Sequence, residues 1–124
     1  MTNFEDPFQF KTFKNENGVE IIYGNLMELG QGGPEVGNLS INGNKINGRF
    51  GGPALCYLNF VYVPIYINAF FKKGFKIAKI NTQTQEIKVI GKVRGLLSLE
   101  KIEDGLIYFY DSIGRDKLLS ESDQ

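Results

Sequence analysis

Two pairs of carboxylates lie close enough in the chain to share acid–base work: Glu16 with Glu20, and Glu103 with Asp104. Such pairs divide the roles of acid and base when burial raises the pKa of one member. Both pairs flank turn sequences, Asn17-Gly18 and Asp104-Gly105, where water is expected to keep them ionised. Histidine is absent from all 124 residues. That removes Ser–His and Cys–His nucleophile pairs, imidazole metal sites and the side chain that most often moves protons near neutral pH. Gly30-Gln31-Gly32-Gly33 has the look of a phosphate cradle, but no Lys-Ser/Thr pair and no helical pattern follows it. The reading is a chain that is not an enzyme and carries no cofactor and no metal.

Binding chemistry is better represented. Tyr62 and Tyr66 share one face of a strand pattern, and Tyr108 and Tyr110 share another. Tyrosine is frequent among interface hot spots. Glu103, Asp104 and Asp111 neighbour the second pair and would add polar anchors. These seven residues form the candidate partner-binding set, with core packing of the rings as the competing reading.

Charge is balanced overall, with 14 basic and 14 acidic residues, so nothing draws the whole chain to nucleic acid or to a membrane surface. It is unevenly spread. Residues 72–94 carry Lys72, Lys73, Lys76, Lys79, Lys88, Lys92 and Arg94 against Glu86 alone. From Lys101 onward acids outnumber bases. Solvated strand faces explain both blocks, and acidic mimicry of phosphate toward a basic nuclease cleft is the sharper reading of the second. The single cysteine, Cys56, excludes an internal disulfide framework and is expected as an inert buried thiol. Residues 1–7 show no basic n-region and no apolar h-region, which points by default to a cytoplasmic protein.

The element that must position these groups is the run Ala54 to Phe71, eighteen residues without a charge. Asn59, Pro64 and Asn68 interrupt it, and aromatic and β-branched residues dominate it, which argues against a membrane span. Two buried strands joined near Leu58-Asn59 are expected, the second central, with Val61, Val63, Ile65 and Ile67 on one face and Phe60, Tyr62 and Tyr66 on the other. Pro64 is expected at a bulge or strand end because it cannot donate to a ladder. A bent strand over Phe8 to Lys14 and hairpins across Asn17-Gly18, Asn42-Gly43, Asn81 to Gln85 and Asp104-Gly105 complete the pattern. In the strand Glu86 to Arg94, Ile87, Val89 and Val93 are expected inward, with Lys88, Lys92 and Arg94 outward. About eight short antiparallel strands make a single all-β domain over 1–124, with 1–7 and 113–124 as frayed tails.

Asn59-Phe60-Val61-Tyr62-Val63 recurs in type as Gly105-Leu106-Ile107-Tyr108-Phe109, and Gly-Gly-Pro occurs at 32–34 and 51–53. The hairpin Gly74 to Lys92 is similar to those of quinoprotein-like β-propeller blades. A blade takes about 40–50 residues, so the chain holds at most about two and a half. An open half-propeller-like or sandwich-like sheet is the expected architecture, with a free edge either blunted or paired.

With its size, its all-β character, its single cysteine, Phe50-Gly51-Gly52-Pro53 and that hairpin, the chain resembles small bacterial immunity proteins that travel with polymorphic or contact-dependent growth-inhibition toxins. The resemblance implies a tight, non-catalytic inhibitor of a cognate toxin, often a nuclease; the balanced charge sets the expectation of no membrane and no direct nucleic-acid partner. The alternative is a small ligand-binding module using the Gly30 to Gly37 loop, or a structural module that assembles through a sheet edge as a homodimer.

Overall fold

The computed structural model describes residues 5–124, so the part of the expected N-terminal tail before residue 5 lies outside the described residues. The architecture is all-β and antiparallel, as expected, with eleven strands among the described residues rather than about eight. The first four are β1 (Phe13–Glu16), β2 (Val19–Glu28), β3 (Glu35–Ile41) and β4 (Asn44–Phe50). The apolar run supplies β5 (Leu55–Tyr57) and β6 (Phe60–Asn68). Next come β7 (Lys73–Asn81) and β8 (Ile87–Arg94). The last three are β9 (Ser98–Glu103), β10 (Leu106–Tyr110) and β11 (Leu119–Ser122).

Strands β1 to β8 form one sheet in the order β1-β2-β3-β4-β6-β7-β8, with β5 on β6, and this sheet curls into a half-barrel. Strands β11-β10-β9 form a second, small sheet. The hairpin turns explain much of this. Asn17-Gly18, Asn42-Gly43 and Asp104-Gly105 all take positive φ, the backbone that matches a two-residue turn to the strand twist.

The two faces of β6 read from the sequence are the two faces in the structure, and each has its own core. Val61 and Val63 join Ile21, Leu39, Ile41, Phe50, Ala78 and Ile80 inside the curl. Tyr62 joins Phe75, Ile77, Ile90, Leu97, Leu99, Ile107 and Phe109 on the outside, where the small sheet covers β6 to β8. A strand buried on both faces has no polar alternation to show, which is why the run is unbroken by charge.

Four local expectations are corrected. Pro64 makes no bulge: β6 and β7 stay in register from Phe60↔Asn81 to Asn68↔Lys73. The ring faces the opposite neighbour, where β4 gives way to β5, and the Pro64 carbonyl accepts from the Gly51 amide at 2.9 Å. Its missing N–H therefore costs no ladder bond. In β8 the alternation breaks at Gly91, whose φ of 84° marks a register shift against β7. Ile90 is buried, Val89 is 45% exposed, and Arg94 turns toward the small sheet. The segment 113–124 is not frayed throughout, since β11 pairs with β10 and Leu119 packs on the second core. At the other end Pro7 accepts a backbone bond from Glu35, and the strand expected from Phe8 begins only at Phe13. Phe10 is instead turned inward against Tyr23, with ring centroids 4.8 Å apart. Gly52 must be glycine here, because a side chain would run into the Phe10 ring.

Candidate functional site

The small sheet gathers five of the seven candidate residues. In β10 the side chains alternate: Ile107 and Phe109 point into the second core, and Tyr108 and Tyr110 point away from it. Glu103 and Asp104 close the β9–β10 turn, both exposed, and Asp111 follows directly on Tyr110. A bulge between Tyr108 and Phe109 lets Glu100 and Lys101 both reach the outer side.

Each tyrosine ring carries a cation. Lys101 Nζ lies 5.0 Å from the Tyr108 ring centre, and Arg115 Cζ lies 4.8 Å from that of Tyr110. Each cation is paired in turn: Lys101 with Glu103 at 3.6 Å and Arg115 with Glu100 at 2.9 Å. Asp111 accepts from Arg94 at 2.9 Å, and Arg94 also approaches Glu121 at 3.6 Å while lying 4.6 Å from the Phe109 ring centre. Over Tyr108 and Tyr110 the result is a layered surface of ring, cation and carboxylate, with Glu100, Glu103 and Asp104 against Lys101 and Arg115, while the Arg94 group lies on the inner side with Phe109. Such a face can present tyrosines and carboxylates together to a basic partner.

The other two candidates lie elsewhere. Tyr62 is only 1% exposed and sits beneath the small sheet, its hydroxyl 3.3 Å from the Asp123 carboxylate to which it donates. Burial, then the Asp123 charge and that hydrogen bond, holds this phenol well above its ordinary pKa. It is a core residue and cannot touch a partner. Tyr66 is half-buried against Phe75, with centroids 5.5 Å apart.

The features singled out for catalysis or ligands stay apart from this face. Glu16 and Glu20 are on the first hairpin and lie open to solvent to different degrees. In the glycine loop the Gly32 amide donates to the Glu28 carboxylate at 3.2 Å, so an acid of the chain already occupies the cradle. Two of the best-formed clefts hold about 200 and 210 Å³, and neither is lined by residues 30–37. No grouping of three or more His, Cys, Asp or Glu suited to a metal occurs among the described residues. Cys56 is half-buried, and burial, followed by the charge of Glu16, pushes its thiol up to about 11 against a smaller opposing effect of Lys14.

No family model, curated protein or solved structure matches this chain. Its functional reading therefore stands on its own surface. Sequence reasoning missed the three residues that dress that surface, Glu100, Lys101 and Arg115. Arg115 lies in the stretch expected as a tail, and its place over Tyr110 follows from the path of 112–118, which no local pattern encodes.

Proposed function

We propose that this chain is a binding protein of the immunity type, which neutralises a cognate bacterial toxin by occluding its active site. The observation that carries the reading is the outer face of the small sheet, where Tyr108 and Tyr110 stand with Glu103 and Asp104 of the adjoining turn, while Asp111, next to Tyr110 in the chain, is held by Arg94. Tyrosines supply contact area at low entropic cost, and the acidic excess supplies steering toward a basic cleft such as that of a nuclease. The face also lies on the acidic part of a charge-divided molecule. Residues 96–124 hold seven acids against Lys101, Arg115 and Lys117.

Co-expression with the product of the adjacent upstream reading frame tests this. A stable complex on size exclusion is the expected result, and its affinity should fall about thirtyfold or more for Tyr108→Ala or Tyr110→Ala. Absence of any complex would overturn the reading.

A further inference from the structure

The β6–β7 hairpin ends in a turn unlike the others. Its two central residues are Phe70 and Phe71, enclosed by Ala69 and Lys72, which exchange both backbone hydrogen bonds. Three other hairpins of the chain place Asn-Gly or Asp-Gly at this position. Phenylalanine has no conformational advantage in a tight turn. It also gains nothing from burial here: Phe70 is 88% and Phe71 90% exposed. The two rings meet only each other, edge to face, at 4.5 Å. A turn that gives up both turn chemistry and solubility is a place where the sequence serves something other than folding.

The surroundings say what it serves. All residues from Asn68 to Lys73 are exposed, and beyond the last ladder pair, Asn68 with Lys73, the four-residue tip is open to solvent. The two residues beyond that pair on each limb reach about 7 Å at roughly 3.3 Å per residue. That matches the depth of about 5–10 Å to which amphipathic elements enter the interface of a bilayer. Lys72 and Lys73 stand directly behind the rings, and neither forms an ion pair among the described residues. The whole stretch 36–85 contains Lys45, Arg49, Lys72, Lys73, Lys76 and Lys79 and not one acid. A positive field thus accompanies the apolar tip.

We infer that the Phe70-Phe71 tip is a membrane-surface anchor that docks the protein on an anionic leaflet. The two rings enter the interface, and the lysines behind them meet the lipid phosphates. A bilayer suits this shape better than a protein does. The rings project from a convex tip with polar neighbours on either side, Asn68 before and Lys72 after. They lack the surrounding shelf of apolar surface from which a protein interface core is built. Single-stranded nucleic acid is disfavoured too, because base stacking needs aromatic platforms spaced along a groove, whereas these rings are packed against one another. The contact is peripheral. No helix among the described residues is long and apolar enough to cross a membrane, and the tip uses strands and a turn. The tip lies at the β6–β7 turn and shares no residue with the tyrosine–acid face on β9 and β10, so the two can fail independently.

The chain has no tryptophan, which makes Phe70→Trp a single fluorescent reporter at the tip. Its emission should shift to the blue with vesicles of phosphatidylcholine mixed with phosphatidylserine and stay unchanged with phosphatidylcholine alone. In co-sedimentation of the wild-type chain, Phe70→Ala and Phe71→Ala should each weaken binding about tenfold. Lys72→Glu with Lys73→Glu should weaken it at least about twenty-fivefold, and salt should do the same. Since these side chains are exposed, unchanged near-ultraviolet circular dichroism checks that the variants fold. The inference is overturned if wild-type chain fails to sediment with anionic vesicles. It is equally overturned if neutral vesicles bind as well, or if the phenylalanine variants bind as wild type. Tip variants that lose a protein complex while keeping vesicle binding would also overturn it.

Discussion

Tyr23 shows how one buried polar atom shapes behaviour far from any active site. Its hydroxyl donates to the Gly51 carbonyl at 2.6 Å inside the first core. Burial, with a smaller contribution from the charge of Glu5, holds the phenol far above its ordinary value. Tyr62 is shifted the same way. For both, the folded state keeps the proton longer than the unfolded state. Their contribution to stability is therefore complete below about pH 10, the unfolded value, and is lost as pH rises above it. Melting temperature should fall steeply on the alkaline side of pH 10, and Tyr23→Phe should flatten that fall. The same substitution should cost about 1–2 kcal/mol at neutral pH, because it leaves the Gly51 carbonyl unpaired. Cys56 gives a second residue-scale prediction. With its thiol at about 11, roughly one molecule in a thousand is thiolate at pH 8. Labelling by a disulfide reagent at that pH should be slow in the native protein and at least about a hundredfold faster in denaturant.

Strand β8 is where a clean alternation misleads. The pattern Ile87, Val89, Val93 reads as one buried face, yet Gly91 inserts a bulge and moves the buried position to Ile90. Glycine at φ 84° is required there, and Gly91→Ala should cost about 1–2 kcal/mol, seen as a melting point several degrees lower. The bulge also aims Arg94 at the small sheet, where it bridges Asp111 and Glu121 over the Phe109 ring. Arg94→Ala should destabilise by about 1–3 kcal/mol, and Arg94→Lys should restore little, since an ammonium neither forks between two carboxylates nor stacks flat on a ring. At the position of Pro64 sequence reasoning erred for a related cause. Whether a missing N–H matters depends on which neighbour it would face, and that is a property of the sheet.

The two cores share β6 and β7, so the small sheet is part of the same folding unit as the half-barrel. A chain truncated after Gly95 would uncover Tyr62, Phe75, Ile77 and Ile90. It should bind a hydrophobic dye and lose near-ultraviolet dichroism, whereas the full chain should melt in one cooperative step. The outer strand β8 carries Lys88 and Lys92 together with the Gly91 bulge, and β1 is only 4 residues long. Short, charged and bulged edges resist pairing with a second copy. Light scattering at micromolar concentration should give a monomer, and a dimer would favour assembly through a sheet edge instead.

Class, turns and the central strand were legible in the sequence by itself. Asn-Gly and Asp-Gly dictate positive-φ turns through backbone sterics alone, and an uncharged run with two apolar faces has to be covered on both sides. Leu58-Asn59 divides that run where the composition placed the division, between β5 and β6. The candidate face was legible in half: period-two alternation puts Tyr108 and Tyr110 together, but the same rule treated Tyr62 as their equal. Only the tertiary structure buries Tyr62 under the small sheet, lays Lys101 and Arg115 over the tyrosine rings, and leaves Phe70 and Phe71 bare at a tip. Local pattern reports which residues share a face. Which face is covered depends on contacts between segments distant in the chain, and those exist only once the sheet has curled.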